Sequence, residues 1–184
     1  FGVQSVVEII GSSKAKSGAR SLATERMEYI RSLSYNEVGT VGGVPDGLIP
    51  QNSTTTLNGT TYSERVLIEF VDDDADGLLG ADANGIITDY KQVKVVYTWT
   101  LRGITDSVQL ISNIVPVGIE TTAGGGTIRV NVFDEAVLPV PDAEVRFTND
   151  TATSAIDTTR FTDSSGVAYL SGAPAIANYQ IWVT

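Results

Sequence analysis

The feature that most constrains this chain is a long amphipathic stretch at its front, VVEIIGSSKAKSGARSLATERMEYIRSLSY. Its apolar and small residues recur in steps of three and four, which is the spacing of one face of an α-helix. The rest of the chain is patterned for β-strands. The sequence therefore predicts an α+β fold with one long N-terminal helix that ends near residues 34–36. The residues on the predicted face are Val3, Val7, Gly11, Ala15, Gly18, Leu22, Ala23, Met27, Ile30 and Leu33.

The front of this helix is predicted to mediate assembly. Residues 19–33 carry a stripe suited to lying on a sheet of the same chain, but the ten residues at the front rise about 15 Å. We do not expect a small head to cover that length. Small residues in the middle of the stripe would let another backbone approach closely. The alternative is a helix that lies on its own sheet throughout. The expected assembly residues are Val3, Val6, Val7, Ile10, Gly11, Ala15 and Gly18.

Alternating residues predict an antiparallel sheet after the helix. Asn58-Gly59 is a hairpin-turn signal. The stretch KQVKVVYTWTLRG alternates apolar and polar residues over its whole length, as a strand with one buried face does. A sheet with one polar face needs a cover for the other, and the helix is the natural cover. We expect residues 1–117 to form a helix packed on an antiparallel sheet.

A second, all-β unit is predicted at the C-terminal end. Three consecutive glycines lie in a segment without apolar periodicity, so residues 118–126 are predicted to form a flexible linker. Residues 127–184 alternate apolar and polar residues between turn clusters, which is typical of a small β-sandwich. The alternating residues are Ile128, Val130, Val132, Ala143, Val145, Phe147, Val167, Tyr169, Tyr179, Ile181 and Val183.

An acidic loop, VDDDADGLLGADANGIITDY, is a candidate calcium site. Its first carboxylates stand at alternate positions and a glycine follows, as at positions 1, 3, 5 and 6 of a calcium loop. Position 12 would be Ala83, so the loop is not an EF-hand. We expect a structural Ca²⁺; the alternative is a solvated loop of ordinary turn-forming residues. The expected ligands are Asp72, Asp74, Asp76, Asp82, Asn84 and Asp89.

Composition excludes most other functions. The chain has no cysteine and no histidine, so thiol chemistry, a histidine triad and the commonest metal ligand are absent. We therefore predict that it is not an enzyme, with a metal-dependent hydrolase built on the acidic loop as a poor alternative. Its net charge of −10 argues against nucleic acid and anionic membrane surfaces as partners.

The charge is unevenly distributed along the chain. Residues 1–36 carry a net +2, residues 37–125 a net −8 and residues 126–184 a net −4. This asymmetry is consistent with ordinary solubility or with basic helices lying beside acidic heads of neighbouring subunits. Three sequons, at Asn52, Asn58 and Asn149, are expected in surface loops as candidate glycosylation sites.

The end of the helix and the residues just after it form a recognisable pattern. Its members are Ala23, Glu25, Met27, Glu28, Ile30, Arg31, Leu33, Tyr35, Glu37, Val38, Gly39 and Thr40. This pattern resembles the type IV pilin and pseudopilin family, whose members begin after processing with Phe or Met and a Glu at the fifth position, followed by an apolar anchor. This chain has Ser5 and no such run after Phe1. We expect that Phe1 lies inside a longer helix whose anchor precedes it; a divergent mature N-terminus is the alternative.

Residues 126–184 resemble carboxypeptidase-regulatory-like and transthyretin-like domains, which are non-catalytic spacers or binding modules. Together the two resemblances imply a pilin-like structural subunit of an extracellular, cell-surface filament that assembles with itself or with other pilins. The alternative they leave is a surface adhesin or minor pilin whose C-terminal sandwich binds carbohydrate or protein. The second resemblance rests on Asp134, Pro139, Val140, Ala143, Val145, Thr162, Asp163, Gly166, Leu170, Tyr179, Ile181 and Val183.

Overall fold

The fold is α+β, as the sequence predicts. The structure is a computed structural model that describes residues 2–73, 88–116, 125–153 and 155–184, with side chains described from Ile10 onward. Within these ranges one α-helix precedes nine β-strands. All the strand pairs in them are antiparallel.

Helix α1 spans Gly2–Ser32. Its buried residues recur in steps of four and three, so they form one stripe along the helix. A short 3-10 turn at Tyr35–Glu37 follows, in which the backbone N–H and the hydroxyl of Ser34 both donate to the Glu37 carboxylate at 3.0 and 2.7 Å. The stripe consists of Ala15, Ala19, Ala23, Met27 and Ile30.

The first sheet has four strands in the order β1-β2-β3-β4. Asn58 and Gly59 join β1 to β2 with φ angles of 52° and 78°, the left-handed pair that a tight hairpin turn requires. The hairpin predicted at these two residues is therefore confirmed. The strands span Asn52–Leu57 (β1), Thr60–Val71 (β2), Tyr90–Leu101 (β3) and Ile104–Ile114 (β4).

The inner face of this sheet and the helix stripe belong to one hydrophobic core. The alternation predicted for β3 is seen in its burial, because every second residue from Val93 to Trp99 is buried. Val38 and Ile49, from the loop after the helix, are also fully buried in this core. That loop is thus part of the core.

The C-terminal region contains two small sheets. One pairs β5 (Gly125–Asn131) with β8 (Val167–Pro174), and the other has the order β7-β6-β9, spanning Ile156–Phe161, Glu144–Asn149 and Gln180–Val183. Strand β5 begins at Gly125, so two residues of the predicted linker lie in a strand. The rest of that linker, residues 118–124, lies outside the described residues.

Three details of this region differ from the sequence prediction. Ile181 and Val183 of β9 are 42% and 47% exposed, so they are not buried as their alternation predicts. Strand β7 was not predicted, because its buried positions include Thr158 and Arg160 rather than an apolar alternation. In β8, Ala168 and Leu170 are buried while Tyr169 is 40% exposed, so Tyr169 does not point into the core as its spacing suggested.

The second core combines residues of the C-terminal strands with residues from the first half of the chain. Val44 is buried within it, and Phe70 from β2 packs against it. Both residues lie in the range predicted as the first domain, so the C-terminal unit is completed by the loop and strand of the helix-bearing unit. Its other buried members are Val145, Phe147, Ile156, Ala168, Leu170 and Ala173.

In the part of the chain that the structure describes, no helix combines the length and the apolar content that a bilayer crossing requires.

Candidate functional site

The contact between α1 and its own sheet begins at Ala15. The hydroxyl of Tyr62 donates a hydrogen bond to the Ala15 carbonyl oxygen at 3.0 Å, and a Cβ added at Gly18 would lie 2.8 Å from that hydroxyl. Tyr62 is 1% exposed. Ala15 and Gly18, which the sequence places on the assembly surface, therefore serve the interior of this chain instead. Their small size admits the Tyr62 ring rather than a neighbouring subunit.

Residues 10–14 of the helix have no such cover. Ile10 is 60% exposed, and a Cβ added at Gly11 would meet nothing within 4 Å. Residues 12–14 are exposed as well. Helix α1 also includes Val3, Val6 and Val7, whose side chains are not among those that the structure describes. Of the predicted assembly residues, Ile10 and Gly11 are thus exposed on the helix surface.

A cleft of about 850 Å³ opens where the covered part of the helix ends. Residues 11–15 of α1 form one wall, and the β1–β2 and β3–β4 turns form the other. Lys14 and Arg102 contribute positive charge to it, and Asp106 contributes one negative charge. Its apolar lining consists of Ala15, Leu57, Tyr62, Trp99, Leu101 and Ile104.

A buried carboxylate ties the middle of the helix to the sheet. Glu64 is 4% exposed and lies 3.0 Å from the Arg26 guanidinium, and its other contacts are with hydroxyl groups. Tyr97 donates to it at 2.7 Å and Ser53 at 2.5 Å. Burial, together with the hydrogen bond to Glu64, raises the pKa of Tyr97 far above its usual value. Two hydroxyl donors and the Arg26 guanidinium thus compensate the buried charge of Glu64.

A buried lysine stabilises the backbone that follows the end of α1. The Lys91 ammonium donates to the carbonyl oxygens of Tyr35 and Val38 at 2.7 and 2.6 Å, and it lies 4.4 Å from the centre of the Tyr35 ring. Lys91 is 3% exposed. Burial lowers the pKa of Lys91 to about 8. This side chain satisfies two carbonyls beyond the helix end and anchors them to β3.

Arg160 holds the C-terminal unit to the first one. Its guanidinium donates to the Val44 carbonyl oxygen at 2.8 Å and to the Thr158 hydroxyl at 3.0 Å, and it lies 3.2 Å from the Glu69 carboxylate. Burial lowers the pKa of Arg160, and Glu69 opposes that shift. Nearby, the Asp157 amide donates to the Gly42 carbonyl oxygen at 2.7 Å. The two units are therefore joined by polar contacts as well as by the shared core.

The predicted calcium ligands are only partly described. Asp72 follows β2, and Asp89, 5% exposed, precedes β3 and accepts a hydrogen bond from the Asp73 amide at 2.5 Å. Among the described residues no group of three acidic side chains is placed to hold a metal ion. The calcium site therefore stays a prediction. The remaining expected ligands, Asp74, Asp76, Asp82 and Asn84, lie outside the described residues.

The three sequons fall in different surroundings. Asn52 and Asn58 are exposed, at the start of β1 and in the hairpin turn. Asn149 is 2% exposed at the end of β6, where its amide donates to the Ala177 carbonyl oxygen at 2.8 Å. The prediction of a surface loop is thus wrong for Asn149, because the side chain is part of the interior and closes the following turn.

Comparisons with protein-family models, with curated proteins and with solved structures found no match to this chain. A function for it consequently rests on its own residues. The charged residues Glu64, Lys91 and Arg160, which the sequence reading missed, share one signal: each occupies the buried position of an alternating strand.

Proposed function

We propose that this chain is a structural subunit of a type IV pilus-like extracellular filament, with the front of α1 mediating assembly and the β-units exposed. The observation that carries the proposal is the mismatch between helix and sheet. The 31 residues of α1 extend about 46 Å. Among the side chains described from Ile10 onward, the buried stripe begins at Ala15, and about 20 Å of helix backbone precedes that residue.

The proposed architecture is that of a pilin-like head. We infer that α1 from Ala15 onward covers the inner face of the four-stranded sheet, as the shared core and the Arg26–Glu64 pair support. We infer further that the two C-terminal sheets form a small sandwich of the carboxypeptidase-regulatory-like kind around their common core. In this architecture the C-terminal unit is a projecting module, held to the head by Arg160.

Assembly through the helix front is consistent with the placement of charge. Net positive charge is confined to residues 1–36, whereas both β-units are acidic. A helix that packs among neighbouring subunits would set its lysines and arginines beside acidic heads, and that attraction would weaken as salt is added. A bound Ca²⁺ at the acidic loop would reduce the repulsion within each head.

An adhesin is the second candidate, favoured by one feature of the C-terminal unit. Strand β9 lies at a sheet edge and exposes Ile181, Trp182 and Val183, with Trp182 58% exposed. Exposed tryptophan is enriched at binding surfaces for proteins. In this function the same chain would serve as a minor pilin that holds carbohydrate or protein through its C-terminal unit.

Substitution at Ile10 tests the filament proposal directly. We expect Ile10→Asp to reduce self-association measured by sedimentation velocity over a concentration series, because a charge would enter a helix–helix contact. Thr24→Asp, at an exposed helix position within the range that the sheet covers, is the matched control and should associate like the unaltered chain. Equal association of all three proteins would contradict assembly through the helix front.

A further inference from the structure

The loop between β5 and β6 presents an apolar, acidic tip, formed by residues 133–138. Phe133, Val137 and Leu138 are 51%, 73% and 60% exposed, and Glu135 is exposed beside them. Monomeric proteins rarely display several large apolar side chains together on one short loop without a binding role. Nothing in the described chain covers this tip.

Hydrogen bonds within the tip fix its shape. The Asp134 carboxylate accepts from the amides of Ala136 and Leu138, both at 2.9 Å. The Asp134 amide donates to the Leu138 carbonyl oxygen at 2.9 Å, and the Val137 amide donates to the Asp134 carbonyl oxygen at 3.0 Å. A loop braced in this way loses little conformational entropy on binding, so it is pre-organised for docking.

The cleft beside residues 11–15 of α1 has the complementary chemistry. Its walls are apolar, and Ile104 at its rim is 73% exposed. Lys14, an exposed residue of the helix wall, and Arg102 outweigh Asp106, so the cleft is basic where the tip is acidic. Both surfaces are apolar and their charges are of opposite sign, which favours the tip as the partner of the cleft.

We propose that the tip of one copy docks into the cleft of a second copy. Tip and cleft share no residue, so each copy can offer its tip to one neighbour and its cleft to another in a heterologous contact. A heterologous contact that does not close into a ring adds copies indefinitely, as a filament does. The inference rests on the proposed filament function and supplies a second contact between subunits, in which residues 11–15 of α1 take part as one wall of the cleft.

Complementation between two blocked variants tests this contact in the full chain. Ile104→Arg blocks the cleft and Leu138→Arg blocks the tip; both positions are exposed, so folding should survive. Each variant alone should bind itself at least about tenfold more weakly than the unaltered chain. An equimolar mixture should form dimers and no longer species, because one intact cleft meets one intact tip. Ile111→Arg, at a 54% exposed position of β4 outside the cleft, is the control and should associate normally.

A charge exchange gives an independent measurement. Lys14→Glu and Glu135→Lys should each weaken association, and the chain carrying both changes should recover it, since the pair is then reversed. If neither change has an effect, or if the blocked variants associate normally, self-docking is overturned and another protein or an apolar ligand becomes the occupant of the cleft.

The result is distinguishable from failure of the filament proposal. Ile10→Asp alters the helix front at an exposed residue that belongs neither to the tip nor to the lining of the cleft. Loss of association in Ile10→Asp alone would support helix assembly and overturn the tip–cleft contact. Loss in Ile104→Arg and Leu138→Arg, but not in Ile10→Asp, would support the tip–cleft contact and count against assembly through the helix.

Discussion

The hydroxyl of Tyr62 donates a hydrogen bond to the carbonyl oxygen of Ala15, 3.0 Å away, at the point where the sheet stops covering the helix. Among the described side chains of α1, this contact marks where burial begins. From Ala15 onward, buried residues recur along the helix and join the sheet in one core. Before it, Ile10 and Gly11 face outward without neighbours. The division is the basis of the proposed assembly.

Gly18→Ala should destabilise the chain. The added methyl group would lie 2.8 Å from the Tyr62 hydroxyl, which is held by its bond to Ala15. Gly11→Ala is the matched control, since it meets nothing within 4 Å and gains helix propensity. Urea unfolding should place Gly18→Ala about 1–3 kcal/mol below Gly11→Ala. Removing the hydroxyl with Tyr62→Phe should recover part of that loss; equal stability of the two alanine variants would contradict the tight contact.

Arg160→Met should weaken the joint between the two units. The change leaves the Val44 carbonyl oxygen without its donor and breaks the pair with Glu69. We expect the free energy of unfolding to fall by about 2–4 kcal/mol. Arg146→Met is the control, because the Arg146–Asp157 pair is more than half exposed and should contribute little. Similar losses of unfolding free energy in both variants would contradict a specific role of Arg160 in joining the two units.

Lys91 should make stability rise with pH above about 8. Burial lowers the pKa of Lys91 to about 8 in the folded chain, whereas the unfolded chain keeps the usual 10.5. Between these values the unfolded chain binds the extra proton, so raising the pH favours the folded state. The gain in the free energy of unfolding should reach at most about 1.4 kcal/mol per pH unit.

The comparison with Lys91→Met isolates this effect. Urea midpoints measured from pH 7.5 to 9.5 should rise for the unaltered chain relative to the variant. Tyr97 and the other titrating groups are present in both proteins and cancel. Parallel pH profiles would contradict a buried lysine that loses its proton in this range.

Calcium should stabilise the chain if the acidic loop binds it. Ca²⁺ bound only to the folded state raises the melting temperature by mass action. We expect Tm to be about 5 °C higher in millimolar Ca²⁺ than in excess chelator. Mg²⁺ at the same concentration is the control, because it prefers a smaller octahedral site. An unchanged Tm would leave the loop as a solvated acidic turn.

The sequence predicts local structure well where side-chain pattern and burial agree. The Asn58-Gly59 turn and the alternation through Val93 and Val95 were both predicted, because turn geometry and strand pleat act on neighbouring residues. The helix stripe was predicted for the same reason. Tyr62 determines where along the helix the tight contact with the sheet begins. It lies 44 positions beyond Gly18, so helical spacing carries no information about this contact.

Buried charges account for most of what was missed. Lys91 stands on the same face of β3 as Val93, and Glu64 on the same face of β2 as Val66, where the pattern calls for apolar side chains. Each is explained only by a distant partner: carbonyls at the helix end for Lys91, and Arg26 for Glu64. The available signal was a charged residue at a strand position where the alternation calls for an apolar side chain.

Amide hydrogen exchange along α1 tests the division of the helix most directly. Exchange would be followed by mass spectrometry in dilute and in self-associated samples of the full chain. Residues 15–32 should be protected in both samples, because the sheet covers them. Residues 2–14 should exchange rapidly when dilute and slowly when associated. Protection of residues 2–14 that is already complete in the dilute chain, or that does not change on association, would contradict assembly through the helix front.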